Sequence, residues 1–234
     1  MIPPHGLSLT QSLLERLGQS IVMGDYDRAP FPTEAEIGEV NGTSRTVTRE
    51  AIKMLTAKGL LSARPRLGTK VEPVGHWNLL DPQVLRWLIK RPLTPTIILE
   101  FNYVRLAFEP VAARLAARQI GEAGDRTALL KIRQSLDMMI LNHADRALSI
   151  RHDIEFHGNI LEASGNPFYR QLRPLIDTAL TLAIGMTSHA REPSESHNDH
   201  LNVFRAIEAG DGAGAEILMR SLITKAIAVI IEES

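Results

Sequence analysis

Apolar residues return every three to four positions along most of this 234-residue chain, the spacing of amphipathic helices. Leu13, Leu14, Leu17, Ile21 and Val22 make the first stripe and predict a helix over residues 9–23, stopped by Gly24-Asp25. Thr33, with Glu36 three residues on, caps a short helix over residues 34–40. Asn41-Gly42 is a turn signal, and Ser44 caps a third helix that runs to about residue 58 and ends at Gly59. Its apolar face reads as Val47, Ala51, Met54 and Leu55, with Arg45, Thr48, Arg49, Ile52 and Thr56 around the opposite side. The period then changes. Residues 60–64 and 69–72 are short β-prone runs flanking Pro65-Arg66-Leu67-Gly68, a hairpin.

A Pro-bounded linker follows at residues 74–81, and beyond it only helical periodicity remains. Helices are predicted over residues 81–90, 94–119, 122–141, 145–164, 167–187, 195–209 and 211–232, with Pro110 kinking or splitting the second of these. The expected fold is mainly α. A winged helix-turn-helix occupies residues 1–73, and an all-α domain occupies residues 82–234. Trp77 and Trp87 read as packing anchors between the two domains.

Composition narrows the chemistry. The chain is 44% hydrophobic and 23% charged, the balance of a globular protein with a real core. It has no cysteine, which excludes disulfides, thiolate catalysis, cysteine-type zinc fingers and iron–sulfur clusters. The first ten residues lack the basic stretch and apolar run of a secretory signal, and no apolar run approaches the length of a membrane span. A cytoplasmic location, away from membranes, is the expectation.

The net charge of −1 hides an uneven distribution. Residues 45–70 carry +6, while residues 1–44 carry −4. A basic patch on an otherwise neutral chain suits a polyanion. A recognition helix enters the major groove N-terminus first, so its first turn faces base edges. Arg45 and Arg49 lie one turn apart and can fork a guanine or clamp a phosphate. The hydroxyls of Thr46 and Thr48 suit phosphate oxygens, and the wing offers Arg66 and Lys70 around Gly68. With the caps Thr33 and Ser44, these nine residues are the candidate DNA-facing set.

Four runs carry a resemblance: Pro32–Ile37, Ser44–Ile52, Leu55–Leu60 and Arg66–Val71. Together they resemble the GntR family signature and span the whole N-terminal domain. The resemblance implies operator binding through Arg45, Thr46, Arg49 and the wing at Gly68. Family members often carry Arg where this chain has Ala35, so one phosphate or base contact is missing.

The C-terminal helices hold a second constellation. Asp153 and His157 are four residues apart and project from one helix face, and His200 follows on a later helix. Two imidazoles and a carboxylate suit a divalent metal, but the spacing alone fits a hydrogen-bonded helix pair as well. The stretches Asp153–His157, Ala163–Pro167, Asp199–Ile207 and Gly210-Asp211 are similar to the FCD ligand-binding domain of FadR-type GntR regulators, over about residues 80–232. That resemblance implies a bound divalent metal, zinc foremost, with Asp153, His157 and His200 as ligands. It puts a fourth ligand near Leu222, which cannot coordinate.

Arg105 and Glu109, also four apart, read by spacing as an exposed ion pair. The resemblance instead implies that Arg105 reaches a cavity and forks a carboxylate, with Glu109 beside it in the effector-binding set. The linker run His76–Pro82 and Val84–Trp87 is most similar to family members answering to a sugar acid, which implies an aldonate such as galactonate as effector. The expected protein is a ligand-responsive repressor, a homodimer on double-stranded operator DNA, released by its effector. Two alternatives stand beside it. One is a regulator sensing another small carboxylic acid. The other is a metal-dependent enzyme fused to a DNA-binding module, against which no general-base or nucleophile motif accompanies the three ligands.

Overall fold

The computed structural model describes residues 8–64, 68–91, 94–124, 126–187 and 193–232. The chain forms two compact units, Met1–Pro92 and Leu93–Ser234.

The first unit starts with three capped helices. Helix α1 (Leu9–Met23) opens on a capping box between Ser8 and Gln11, and α2 (Glu34–Asn41) on one between Thr33 and Glu36. Helix α3 (Arg45–Ala57) starts where the Ser44 hydroxyl accepts from the Val47 amide. Strands β1 (Leu61–Arg64) and β2 (Gly68–Val71) pair antiparallel, with Leu61 opposite Val71 and Arg64 opposite Gly68. Leu13, Leu14, Ile21, Ile37, Ala51, Ile52 and Leu55 are buried and make the core.

The buried face of α3 differs from the expected one. Thr48 and Ile52 point inward, whereas Met54 is exposed and Val47 half-buried. A hydroxyl-bearing residue such as Thr48 is expected on the outward side. Its hydroxyl instead pairs with that of Thr43 at 3.0 Å, which satisfies it inside the core.

The stretch expected as a linker is ordered within this unit. A 3-10 turn (Val74–His76) leads to Trp77, whose indole donates to the Glu72 carbonyl at 2.7 Å. Lys58 pairs with Asp81 at 2.6 Å, and Asp81 caps α4 (Pro82–Leu88). Helix α4 packs on α1. The Trp87 ring lies over Gly18, and its Nε1 donates to Glu15 at 2.7 Å. Both tryptophans therefore anchor inside the first unit.

The second unit is all helix: α5 (Pro95–Ala123), α6 (Arg126–Leu141), α7 (Arg146–Ala163), α8 (Pro167–Gln171), α9 (Arg173–Thr187), α10 (Pro193–Glu208) and α11 (Gly212–Glu232). Ala112, Ala113, Ala116 and Ala117 give α5 a smooth buried face for its neighbours, chiefly α11. Pro110 neither splits α5 nor ends it. The proline costs the helix one backbone hydrogen bond, and the residues around it, Phe108, Glu109, Ala112 and Ala113, are buried. The predicted helix over residues 167–187 is two helices, broken at Leu172.

The glycine under Trp87 yields a test. A Cβ at Gly18 would lie 2.3 Å from the indole. Gly18→Ala is expected to destabilise the first unit by about 1–3 kcal/mol through overpacking. Chemical denaturation followed by tryptophan fluorescence measures it, and an unchanged midpoint would contradict the packing.

Candidate functional site

In the first unit, the turn between α2 and α3 presents the N-terminus of α3 to solvent. Arg45, Thr46 and Arg49 are exposed there, as are the caps Thr33 and Ser44. The Arg49 Nε lies 3.7 Å from Glu34 across an exposed surface, a pairing that water and salt weaken. Thr48 is fully buried, which removes it from the DNA-facing set. In the wing, Gly68 is exposed with φ of 81°, a conformation that favours glycine. Lys70 is exposed and lies 3.1 Å from Glu72. Arg66 lies outside the described residues. The structure thus brings a cap, two arginines and a threonine together at one exposed helix end.

The second unit buries a continuous chain of charge. On α5, Asn102, Arg105 and Glu109 follow at helical spacing along one inward face and are all buried. Arg105 Nε donates to Glu109 Oε1 at 2.6 Å, and Nη1 donates to Asn102 Oδ1 at 3.1 Å. Asn102 is held in turn by donating to the Ile98 carbonyl. This is a buried ion pair, where spacing alone allowed an exposed one. The third nitrogen, Arg105 Nη2, is buried with no hydrogen-bond partner. Asn102 carries no signal of its own in the sequence; only its position one turn before Arg105 on the same stripe could have marked it.

Helices α7 and α10 continue the chain. The other Glu109 oxygen, Oε2, receives His157 Nδ1 from α7. Asp153 sits one turn before His157. Its Oδ1 lies 3.4 Å from His157 Nε2 and 3.0 Å from His200 Nε2. His200 Nδ1 donates to the Ser196 carbonyl one turn back on α10. Both histidines thus use Nδ1 for a fixed acceptor and aim Nε2 at the same carboxylate. His157 Nε2 is buried and has no aligned partner.

The electrostatics follow from burial and pairing. Burial alone would push the Glu109 carboxyl up, but Arg105 and His157 beside it hold it down at about 2. Asp153 is likewise held well below the carboxylate range, burial being outweighed by His200 and His157. Burial would lower His157, yet Glu109 and Asp153 raise it. The site therefore favours positive charge at His157 Nε2.

This arrangement fits a divalent cation. Asp153, His157 and His200 offer one oxygen and two nitrogens, all within 4.8 Å of one another. An orphaned imidazole nitrogen with its partner nitrogen tied to a carboxylate is the arrangement that orients a metal-ligating histidine. Leu222 is buried among Met219, Ile223 and their neighbours in the hydrophobic core and offers no donor. Among the described residues, no other group of three such side chains comes together.

Comparison with known proteins decides the family. The model of the bacterial regulatory proteins of the gntR family matches residues 9–71, and that of the FCD domain matches residues 100–225. The chain belongs to the GntR family. Among relatives of this GntR-family chain is the galactonate operon transcriptional repressor of Escherichia coli (strain K12), 34% identical over 90% of this chain and 91% of that protein. Another, the uncharacterized HTH-type transcriptional regulator YieP of the same organism, is 38% identical over 69% of this chain and 70% of its own. A solved structure titled as Lar, controlling the Listeria monocytogenes agr system, shares the fold. It has a TM-score of 0.62 and 13% identity, covering 99% of this chain and all of that one. The GntR-family chain is a DNA-binding transcriptional regulator with a small-molecule-binding type of C-terminal domain, and neither matched family is an enzyme family. None of its described helices is long and apolar enough to cross a membrane.

Removing one member of a buried ion pair leaves the other uncompensated. Glu109→Ala is expected to cost about 3–5 kcal/mol in the second unit, because Arg105 stays charged. Urea denaturation followed by circular dichroism reads the loss. A cost under about 1 kcal/mol, the range of surface pairs, would show that Arg105 escapes to water.

Proposed function

We propose that this regulator is a homodimeric repressor of a sugar-acid catabolic operon, released from its operator when an aldonate such as galactonate binds the helical unit. The observation that carries the effector class is Arg105 Nη2, a buried cationic donor with no partner. A guanidinium in that state suits an anion that brings its own acceptor, and a carboxylate does so with two oxygens. The name of the Escherichia coli relative supports galactonate within that class. A regulator sensing another small carboxylic acid is the second reading, since Arg105 would serve either.

Asp153, His157 and His200 would hold a divalent metal, zinc foremost, and the effector-binding set is completed by Arg105 and Glu109. A bound metal would offer a second anchor for carboxylate or hydroxyl oxygens. Glu109 serves this set by neutralising Arg105 and fixing His157 rather than by meeting the effector's carboxylate, which it would repel.

At the other end, Arg45 and Arg49 read bases or clamp phosphates, and Thr46, Thr33, Ser44, Gly68, Lys70 and Arg66 meet the backbone. One module spans too few base pairs to select a genomic site, so two copies reading a palindrome are required. A repressor of this kind works in the cytoplasm.

Two measurements test these assignments. In fluorescence anisotropy on the operator, Arg45→Ala and Arg49→Ala are each expected to abolish specific binding. Lys53→Ala should mainly flatten the salt dependence, and Thr48→Val should leave operator affinity unchanged. Wild-type affinity in both arginine variants would remove α3 as the reading helix.

For the effector, a thermal-shift panel of sugar acids, with zinc or EDTA, is expected to single out aldonates. His157→Ala and His200→Ala should bind operator normally yet fail to release it. If no aldonate, uronate or related hydroxy acid moves the melting temperature or frees the operator at millimolar concentration, the sugar-acid reading falls.

A further inference from the structure

The three-donor centre on α7 and α10 is short of the four ligands that zinc takes in a closed protein site. Leu222, in the core, supplies none. The same end of the helical unit holds two more imidazoles. His197 lies three residues before His200 on α10, so the two rings leave the helix on one side, one turn apart. His143, in the turn after α6, packs its ring edge-to-face on His197, with centroids 6.3 Å apart. His143 Nδ1 meets the Ile140 carbonyl at 3.0 Å. The described residues give neither nitrogen of His197 a hydrogen-bond partner.

We propose that His197 is a further ligand of the metal centre, completing Asp153, His157 and His200 as a four-donor set. This rests on the metal reading above and goes beyond it by naming the missing donor. Three observations converge on this ring. His197 shares a helix and a face with His200. It is half-buried, so it needs little desolvation to turn inward, and it retains the freedom that Ser196 and Glu109 deny to His200 and His157. Its ring nitrogens lie outside the cluster that Asp153, His157 and His200 form within 4.8 Å, so ligation requires the ring to turn toward them about its own side-chain bonds.

The alternative for His197 is a packing partner of His143 that never meets the ion. Because the chain contains no cysteine, one substitution separates the two. His197→Cys places the only thiol of the protein at the position in question. Cobalt(II) added to chelator-treated His197→Cys is expected to give an intense thiolate-to-cobalt charge-transfer band in the near ultraviolet, which only direct ligation produces. In parallel, zinc affinity is measured by competition with a chromophoric chelator. His197→Ala should lose at least the roughly 10–100-fold that removing an outer partner costs. His143→Ala should change it little.

Circular dichroism melting of each metal-free variant checks that the fold is intact. A cobalt spectrum without the charge-transfer band, or wild-type zinc affinity in His197→Ala, overturns the role of His197 and leaves the three-ligand reading standing. Wild-type protein that takes up neither zinc nor cobalt overturns both.

Discussion

A guanidinium with almost no access to water governs the helical unit. Arg105 keeps its charge at any physiological pH, so burying it obliges the fold to supply a carboxylate at contact distance. Glu109 is that carboxylate, one turn along the same helix. Its second oxygen then fixes which nitrogen of His157 faces inward, and His157 in turn leaves its free nitrogen toward Asp153 and His200. The geometry of the candidate site is therefore set from α5, a helix that contributes no metal donor. Every member is oriented by the one before it.

Much of this was legible along the chain, and the failures share a cause. Caps and turns are local, so Ser44, Thr33 and Gly24 marked helix ends to within a residue or two. The pairing of Asp153 with His157 is also local, since both sit on one helix face. Burial is not. An arginine and a glutamate four apart look the same on a surface as in a core, and only packing by α7 from above decides between them. Thr48 failed for the same reason. A hydroxyl counts as polar in any pattern, yet a second threonine across the turn makes it a core residue. The break at Leu172 and the continuity of α5 through Pro110 likewise depend on neighbours in space.

The two units solve the problem of polar groups in opposite ways. The first keeps Arg45 and Arg49 at the exposed start of α3, and the polar side chain buried in its core among the described residues is Thr48, paired with Thr43. The second buries Arg105 and Glu109 together with His157 and His200. A charged helix end stays free to meet phosphates at little desolvation cost, whereas a buried charge can discriminate, because a ligand that fails to satisfy it is rejected at high energy. Reading a long polyanion and recognising a small molecule call for these different placements.

The seating of Trp87 on Gly18 has a consequence for anyone recombining this protein with others of its kind. A boundary drawn after the wing, near residue 73, would remove the indole that fills the notch in α1. It would also take away the donors from Trp87 and Gln83 to Glu15 and the Asp81 partner of Lys58. The transplanted module would carry an open apolar groove and two bereft charges into its new host. A junction just past Arg91 transfers the helix with the surface it covers. The portable unit in this chain is the three helices, the wing and the short helix α4 together, and chimeras cut at that seam keep a closed core.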